Sequence, residues 1–222
     1  MQTFDTPNPI SAVFDIPAGR IQVIAADRTD TTVEIRPADA AKGRDVKVAE
    51  RTTVEYGDGV LRIKASAKNQ ILGSSGSIEV TVQLPAGSQV AAKAASAEFR
   101  VVGRVGDVTF DGAHGAVKVD EAASVRLATA GGDVEVGRLN GPAEISTGKG
   151  DIRIAEAVRG TLVLRTQAGD VSVQAAHGVS ASLDAGTSYG RITNALMNAE
   201  GAGAELDIRA TTAYGDIVAR SR

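Results

Sequence analysis

The sequence predicts an all-β protein, a parallel β-solenoid resembling a β-helix, with about 20 residues per coil and a strand-rich N-terminal cap. Three observations indicate this fold. One short phrase recurs five times in the second half of the 222-residue chain. Apolar and polar residues alternate with a period of two on both sides of this phrase. Glycine, present 25 times, recurs at the positions where the chain is expected to turn.

The recurring phrase reads Thr-x-x-Gly-Asp-(Val/Ile)-x-apolar, and its glycines are separated by 18, 19, 21 and 25 residues. A fixed step of about 20 residues is typical of stacked repeat architectures. Weaker copies precede the five full ones at Gly106–Phe110 and at Ala97–Val101, where Ala and Glu replace Gly and Asp. The five full copies are Thr129–Val136, Thr147–Ile154, Thr166–Val173, Thr187–Asn194 and Thr212–Ala219.

Each copy joins two short alternating runs, such as Leu162–Leu164 before the glycine turn and Val171–Val173 after it. Alternation of β-branched residues with polar ones indicates strands that bury one face. One coil cannot bury its apolar stripe alone, so we expect coils to stack in parallel, about 4.8 Å apart. Residues 91–222 are therefore predicted to be solenoid repeats that continue directly from the cap.

Residues 1–90 are predicted to form the strand-rich cap and the first coils. A cap is needed because the open end of a stack exposes unpaired backbone groups. We expect loops at Ala40–Arg44 and Lys68–Ser77, and a strand rather than a helix at Ala91–Ala97, just ahead of a weak repeat copy. The alternating runs that predict strands in the cap are Val13–Ile16, Ile21–Ile24, Thr32–Ile35, Val46–Val48, Val60–Ile63 and Ile78–Val82.

Composition and charge exclude several classes of function. The chain has no cysteine, which excludes disulfides, thiolate metal sites and cysteine nucleophiles. A net charge of −3 gives no general attraction to nucleic acid or to an anionic membrane. No apolar run is long enough to cross a bilayer, and the N-terminus lacks the features of a secretory signal, so we expect a cytoplasmic location and no membrane insertion.

Three segments resemble a known family. Phe14–Gly19 reads FDIPAG, Leu84–Val90 reads LPAGSQV, and the repeated phrase T-x-x-G-D-[VI]-x-V follows. Together they resemble the bacterial β-strand-repeat family of unknown function whose members are called putative adhesins. The resemblance covers nearly the whole chain. It implies a β-solenoid fold, and it brings no catalytic or binding residues with it.

The repeated Thr, Gly and Asp are the candidate site residues, and we interpret them as structural turns. Glycine supplies a positive φ, and a Thr or Asp side chain can bond to backbone groups of the turn. The alternative is a calcium column, because consecutive carboxylates of Asp133, Asp151 and Asp170 offer hard oxygen ligands. The predicted turn residues are Thr129, Gly132, Asp133, Thr147, Gly150, Asp151, Thr166, Gly169, Asp170, Gly190, Gly215 and Asp216.

The predicted function is a non-catalytic scaffold or interaction protein without a cofactor. No phosphate-binding loop or hydrolase motif is present. Tyr189 and Tyr214 precede successive turn glycines and are candidates for an interface. The last coil, ending at Ile217–Arg222, is expected to be an open edge that binds a protein partner or a second copy. Two alternatives remain open: a calcium- or ligand-binding solenoid that uses the Asp column, and a polysaccharide-active enzyme.

Overall fold

The computed structural model describes residues 1–65 and 76–222, and it is all-β with one short α-helix in the first unit. The chain divides into two compact units, Met1–Gly115 and Ala116–Arg222. Residues 68–75 of the predicted loop lie outside the described residues. The cap boundary predicted after residue 90 falls inside one long strand, Gln89–His114.

The first unit has a mostly parallel centre. Strand β2 pairs in parallel with β7 along most of its length, with β5 through its first half, and with β6 through its second half. Antiparallel partners flank these strands, since β4 pairs with β5, β3 with β6, and β1 with β3. The elements are β1 (Gln2–Asp5), β2 (Ser11–Ala26), β3 (Asp30–Pro37), α1 (Gly43–Arg51), β4 (Thr53–Gly57), β5 (Val60–Lys64), β6 (Ile78–Pro85) and β7 (Gln89–His114).

Helix α1 corrects one prediction, because Val46–Val48 is helical and not a strand. Three alternating residues are too few to distinguish a strand from a helix face. Asp45 lies in the first helical turn, where a carboxylate is favourable, and it is buried at 3% exposure. Its Oδ1 accepts a hydrogen bond of 3.0 Å from the Ser77 N–H, which ties the helix to the chain just before β6.

The prediction of a strand at Ala91–Ala97 is confirmed, since these residues lie within β7. The prediction that Gly106–Phe110 is a copy of the repeated phrase, equivalent to Ala97–Val101, is wrong. Gly115, and not Gly106, stacks on Ala97, because a Cβ placed on Gly115 would lie 1.9 Å from the Ala97 carbonyl oxygen. Gly106 instead lies over Gly87, at the opposite turn of the same unit. Asp107, which the weak copy would align with the repeated aspartates, therefore lies at the opposite turn from Ala97 and Gly115.

The second unit consists of strands of four to nine residues, together with one 15-residue strand. They are β8 (Val117–Gly131), β9 (Val134–Leu139), β10 (Ala143–Lys149), β11 (Ile152–Ala157), β12 (Gly160–Ala168), β13 (Val171–Ala175), β14 (Ala181–Tyr189), β15 (Ile192–Ala195), β16 (Leu206–Tyr214) and β17 (Ile217–Ser221). A 3-10 turn at Gly201–Gly203 separates β15 from β16.

These strands form two parallel sets. The first set runs in the order β8, β10, β12, β16, β14. The second set runs in the order β8, β9, β11, β13, β17, β15. We call a first-set strand together with the second-set strand that follows it a rung. The rungs stack in register, so that Thr147 pairs with Thr129 on one side and with Thr166 on the other.

The last two rungs are exchanged relative to their order in the sequence. The rung β16–β17 lies between β12–β13 and β14–β15 and pairs with both. The prediction that Ile217–Arg222 forms the open edge is therefore wrong, because β17 has a strand on each side. The edge of this stack is the rung β14–β15, which we call the edge rung.

The core of the second unit is a column of branched apolar side chains. At one second-set position Val134, Ile152, Val171 and Ile217 are each at most 1% exposed. The equivalent residue of the edge rung, Ile192, is 46% exposed. Burial of one such side chain stabilises a fold by about 1.5–3 kcal/mol, so stacking supplies what a single rung lacks.

Candidate functional site

The glycines of the repeated phrase stack so closely that no side chain fits between them. Gly150 and Gly169 have φ values of +145° and +152°, which disfavour any residue with a Cβ. A Cβ on Gly150 would lie 2.3 Å from the Gly132 carbonyl oxygen, and one on Gly169 would lie 2.1 Å from that of Gly150. Gly215 lies over Gly169, and Gly190 over Gly215, in the same way. The turns thus form one continuous column.

The threonines of the phrase bond across rungs. The hydroxyl of Thr166 donates to the Gly150 carbonyl oxygen at 3.0 Å, and Thr212 donates to that of Gly169 at 3.0 Å. Thr147 and Thr187 make the same bond to Gly132 and Gly215, at 3.4 and 3.0 Å. Each bond joins a turn to the neighbouring rung. The hydroxyl of Thr129 lies 3.2 Å from the carbonyl oxygen of Gly131, in its own turn.

The aspartates form a ladder of backbone contacts. The Oδ1 of Asp133 accepts the N–H of Asp151 at 2.9 Å, and that of Asp151 accepts the N–H of Asp170 at 2.8 Å. Asp170 then accepts the N–H of Asp216 at 2.7 Å. Each carboxylate therefore fixes the turn of the next rung through one of its two oxygens.

Arg191 ends this ladder at the edge rung. Its backbone N–H donates to Oδ1 of Asp216 at 2.8 Å, and its Nη2 lies 3.1 Å from Oδ2 of the same carboxylate. The backbone hydrogen bond and then the side-chain hydrogen bond of Arg191 lower the pKa of Asp216 from its ordinary value. Asp216 is thus held in its ionised form by the rung above it.

Exposed apolar side chains concentrate at the edge rung. The rings of Tyr189 and Tyr214 stack with centroids 5.0 Å apart and planes 3° from parallel. Their exposed fractions are 68% and 61%. Ile192 is 46% exposed, and Met197, which accepts the N–H of Ala181 at the other end of β14, is 53% exposed. Among residues 1–65 and 76–222, Met1 is the one exposed large hydrophobic residue outside this group. The two interface candidates therefore lie together, Tyr189 on the edge rung and Tyr214 on the rung β16–β17 next to it.

The ion pairs of Glu156, on the outer face of the second set, were not predicted from the sequence. Arg138 forms an ion pair with Glu156, and Oε2 of Glu156 also accepts from Nη1 of Arg222 at 3.0 Å. The available signal was the equivalent position of Arg138 and Glu156 in neighbouring repeats. Glu135 is next to Arg153 in register, but it forms its ion pair with Lys118 at 3.0 Å.

No group of three or more His, Cys, Asp or Glu with metal-site geometry occurs among residues 1–65 and 76–222. Over the same described ranges, no helix has the length and apolar character required to cross a bilayer. His114 and His177 are both exposed.

This architecture of stacked parallel strands belongs to a known family. Residues 20–220 match the model of the Toastrack DUF4097 family, and the chain is therefore a member of that family, whose function is unknown. No sequence among the curated proteins matches the chain.

Several solved structures are similar to this chain at low sequence identity. A putative adhesin from Bacteroides fragilis is similar over 98% of this chain and 95% of its own, with a TM-score of 0.58 and 13% identity. A putative lipid binding protein from Parabacteroides distasonis covers the same shares, with a TM-score of 0.48 and 12% identity. A putative adhesin from that organism has a TM-score of 0.47 and 14% identity. At 13% identity, the likeness to the Bacteroides fragilis structure shows the fold alone.

Proposed function

We propose that this protein is a non-catalytic scaffold or interaction protein built as a β-solenoid with about 20 residues per coil. The observation that carries the proposal is the edge rung, where Tyr189, Ile192 and Met197 are exposed beside a strand edge that no other described strand pairs with. Exposed apolar side chains beside such an edge are typical of a surface that contacts another protein. The name of the Bacteroides structure, putative adhesin, is consistent with an interaction role.

The Thr, Gly and Asp of the turns are proposed to have a structural role. Thr166 and Asp170 each bond to a backbone group of an adjacent rung, and Gly169 has no room for a side chain. Because these side chains bond to the backbone of adjacent rungs, they hold the rungs in register and keep the edge rung in place. A cytoplasmic location stays a prediction.

Photo-crosslinking tests the interaction surface. A photoreactive phenylalanine analogue replaces Tyr189 in one variant and Arg126, an exposed residue of β8 far along the stack, in a control. Irradiation in the native cell is expected to give a discrete crosslinked product from position 189 and none from position 126. Equal products from both positions, or none from 189, would contradict the proposed surface.

A calcium site on the aspartate column is the second candidate. Asp133, Asp151 and Asp170 are exposed and lie on consecutive rungs, which favours this reading. Thermal melting in calcium and in magnesium distinguishes a structural turn from a cation site, because a ligand that binds the folded state raises the midpoint of unfolding. We expect equal midpoints in the two cations. A calcium-specific rise that Asp151→Asn abolishes would instead favour the cation site.

A polysaccharide-active enzyme is the remaining alternative. An open groove of about 600 Å³ on the outer face of the first set is lined by residues that include Ser146, Gly148, Arg165 and Gln167. The residues that line this groove do not provide the carboxylate pair that glycosidases use. A screen of acidic glycans is expected to show no turnover, and turnover of any of them would overturn the non-catalytic proposal.

A further inference from the structure

The C-terminal segment, which we define as residues 206–222 containing β16 and β17, occupies a slot inside the stack. The slot lies between the rung β12–β13 and the edge rung, both of which precede the segment in the sequence. The chain therefore passes over one rung position and fills it afterwards.

The lengths of the connections between strands reflect this order of the rungs. The links from a second-set strand to the next first-set strand are two residues at 158–159 and three residues at 140–142. The link that passes the slot, 176–180, has five residues, and the link that returns to it, 196–205, has ten. Its side chains are largely exposed wherever they are described. A long, exposed connection can carry the segment away from its own slot.

The slot is complementary to the repeated phrase on both of its sides. On one side the Thr212 hydroxyl donates to Gly169, and the Asp216 N–H donates to Asp170. On the other side Asp216 accepts the N–H of Arg191. Register matches along the whole of β16, so a strand pair carrying T-x-x-G-D-I would make the same bonds from any chain.

When the segment is absent, the slot can close by direct pairing of the two rungs on either side of it. The edge rung carries Thr187, Gly190 and Arg191 at the column positions that Thr212, Gly215 and Asp216 occupy. Direct pairing of β14 with β12 would therefore keep the column, with the Arg191 N–H moving to the carboxylate of Asp170. Closure limits the strand edge that is exposed when the segment leaves.

We propose that two copies of this chain exchange their C-terminal segments, each segment filling the slot of the other copy. Segment exchange is a low-cost route to a dimer, because every contact made within one chain is remade between two. This inference rests on the proposed function, and it names a second copy as the partner of the C-terminal coil. The exchange depends on the long 196–205 connection and on the sequence of the slot.

The absence of cysteine allows a direct test. Arg165 and Thr211 are exposed and neighbour each other across β12 and β16, at a spacing suitable for a disulfide. A chain with Arg165→Cys is mixed with a larger, tagged chain with Thr211→Cys, incubated at high concentration, and oxidised. We expect a disulfide-linked heterodimer whose fraction rises with protein concentration.

A matched control uses the neighbouring pair on the same face. Ser146 and Arg165 are equivalent neighbours across β10 and β12, which have no exchangeable segment. A mixture of Ser146→Cys and Arg165→Cys chains is expected to give no heterodimer. A single chain with both Arg165→Cys and Thr211→Cys reports insertion within one chain, and it should crosslink internally at low concentration.

The exchange is wrong if the doubly substituted chain crosslinks internally while the mixed single variants never form a heterodimer. Equal heterodimer from the Ser146 control would also overturn it, since collision and not exchange would then explain the product. Photo-crosslinking at Tyr189 is an independent readout. A partner captured there without segment exchange leaves the proposed function intact and removes only this inference.

Discussion

The inner rung β16–β17 and the edge rung β14–β15 carry copies of the same phrase, but they differ at two of its defined positions. Where the inner rung has Asp216, the edge rung has Arg191. Asp216 both donates its N–H to Asp170 and accepts from Arg191, so an inner rung needs a carboxylate. In the part of the chain that the structure describes, no strand pairs with the outer side of the edge rung. No further rung therefore offers a backbone N–H to position 191, so Arg191 can stand there in place of a carboxylate.

The second difference lies at an inward position of the second set. Ala219 is 1% exposed and pairs with Val173 on one side and Asn194 on the other. Asn194 is exposed, and its side-chain oxygen accepts the N–H of Leu196 at 3.0 Å. A polar residue is tolerated there because the rung is at the edge. The copy with Arg191 and Asn194 therefore lies at the edge of the stack, where these two substitutions destabilise the fold least.

The largest expected difference between the rungs comes from their glycines. Gly215→Ala places a Cβ 2.0 Å from the Gly169 carbonyl oxygen, at a φ of +153°, in a rung held on both sides. We expect a loss of about 3 kcal/mol or more in the free energy of unfolding. Gly190→Ala makes a similar clash with Gly215, but the edge rung can shift outward, and we expect about half that loss.

Urea denaturation measures both effects, with Gly186→Ala as the control. Gly186 lies in β14, and a Cβ there would have no neighbour within 4 Å. Its replacement should change stability by no more than about 0.5 kcal/mol. Equal losses for Gly215→Ala and Gly186→Ala would show that the turn column is not closely stacked.

The inward positions should give the next largest difference. Ala219→Asn buries a side-chain amide between two rungs, and we expect it to cost about 2 kcal/mol. Asn194→Ala removes one exposed hydrogen bond, and we expect a cost of about 0.5 kcal/mol. The same denaturation measurement compares the two. A greater loss at Asn194 than at Ala219 would reverse the assignment of inner and edge rungs.

Acid should weaken the contact between the two rungs. The pKa of Asp216 is lowered, so its ionised form stabilises the fold above the ordinary value of 3.8, and this contribution is lost as the pH falls through the lowered value. Asp216→Asn should flatten this part of the stability–pH curve. Arg191→Ala should flatten it less, because the larger cause is the backbone N–H, which remains. An unchanged curve in Asp216→Asn would contradict this role.

The tyrosine pair should contribute least to stability. Both rings are more than half exposed, and removal of one by Tyr189→Ala should cost about 0.5 kcal/mol, at the low end for a stacked aromatic pair. Thermal melting measures this cost. A midpoint that falls as far as in Gly215→Ala would mean that the pair holds the edge rung in place and is not a free surface.

Much of the second unit could be predicted from the repeats. The copies of T-x-x-G-D identify the turns, and alternation on either side identifies strands that stack in register. The order of the last two rungs could not be predicted by pattern alone, because copies with the same phrase can pair in either order. The signal was present in Arg191 and Asn194, which replace the acceptor and the apolar residue that an inner rung requires.

The first unit shows two other limits of local pattern. The Val46–Val48 run alternates like a strand, but burial of Asp45 and its bond to Ser77 favour a helix. Gly106–Asp107 matches the phrase, yet long-range pairing places Gly115 over Ala97. A short motif does not specify which of two opposite turns it forms. The roles of the turn residues and of Tyr189 and Tyr214 stay predictions.

Intramolecular disulfide formation tests the order of the last two rungs most directly. Val163 and Arg209 are neighbours across β12 and β16, whereas Asp184 of β14 is one rung further away. In dilute solution, a chain with Val163→Cys and Arg209→Cys should oxidise to an internal disulfide, and a chain with Val163→Cys and Asp184→Cys should not. Rapid oxidation of the second chain, with the first remaining reduced, would place the rungs in sequence order and contradict the account.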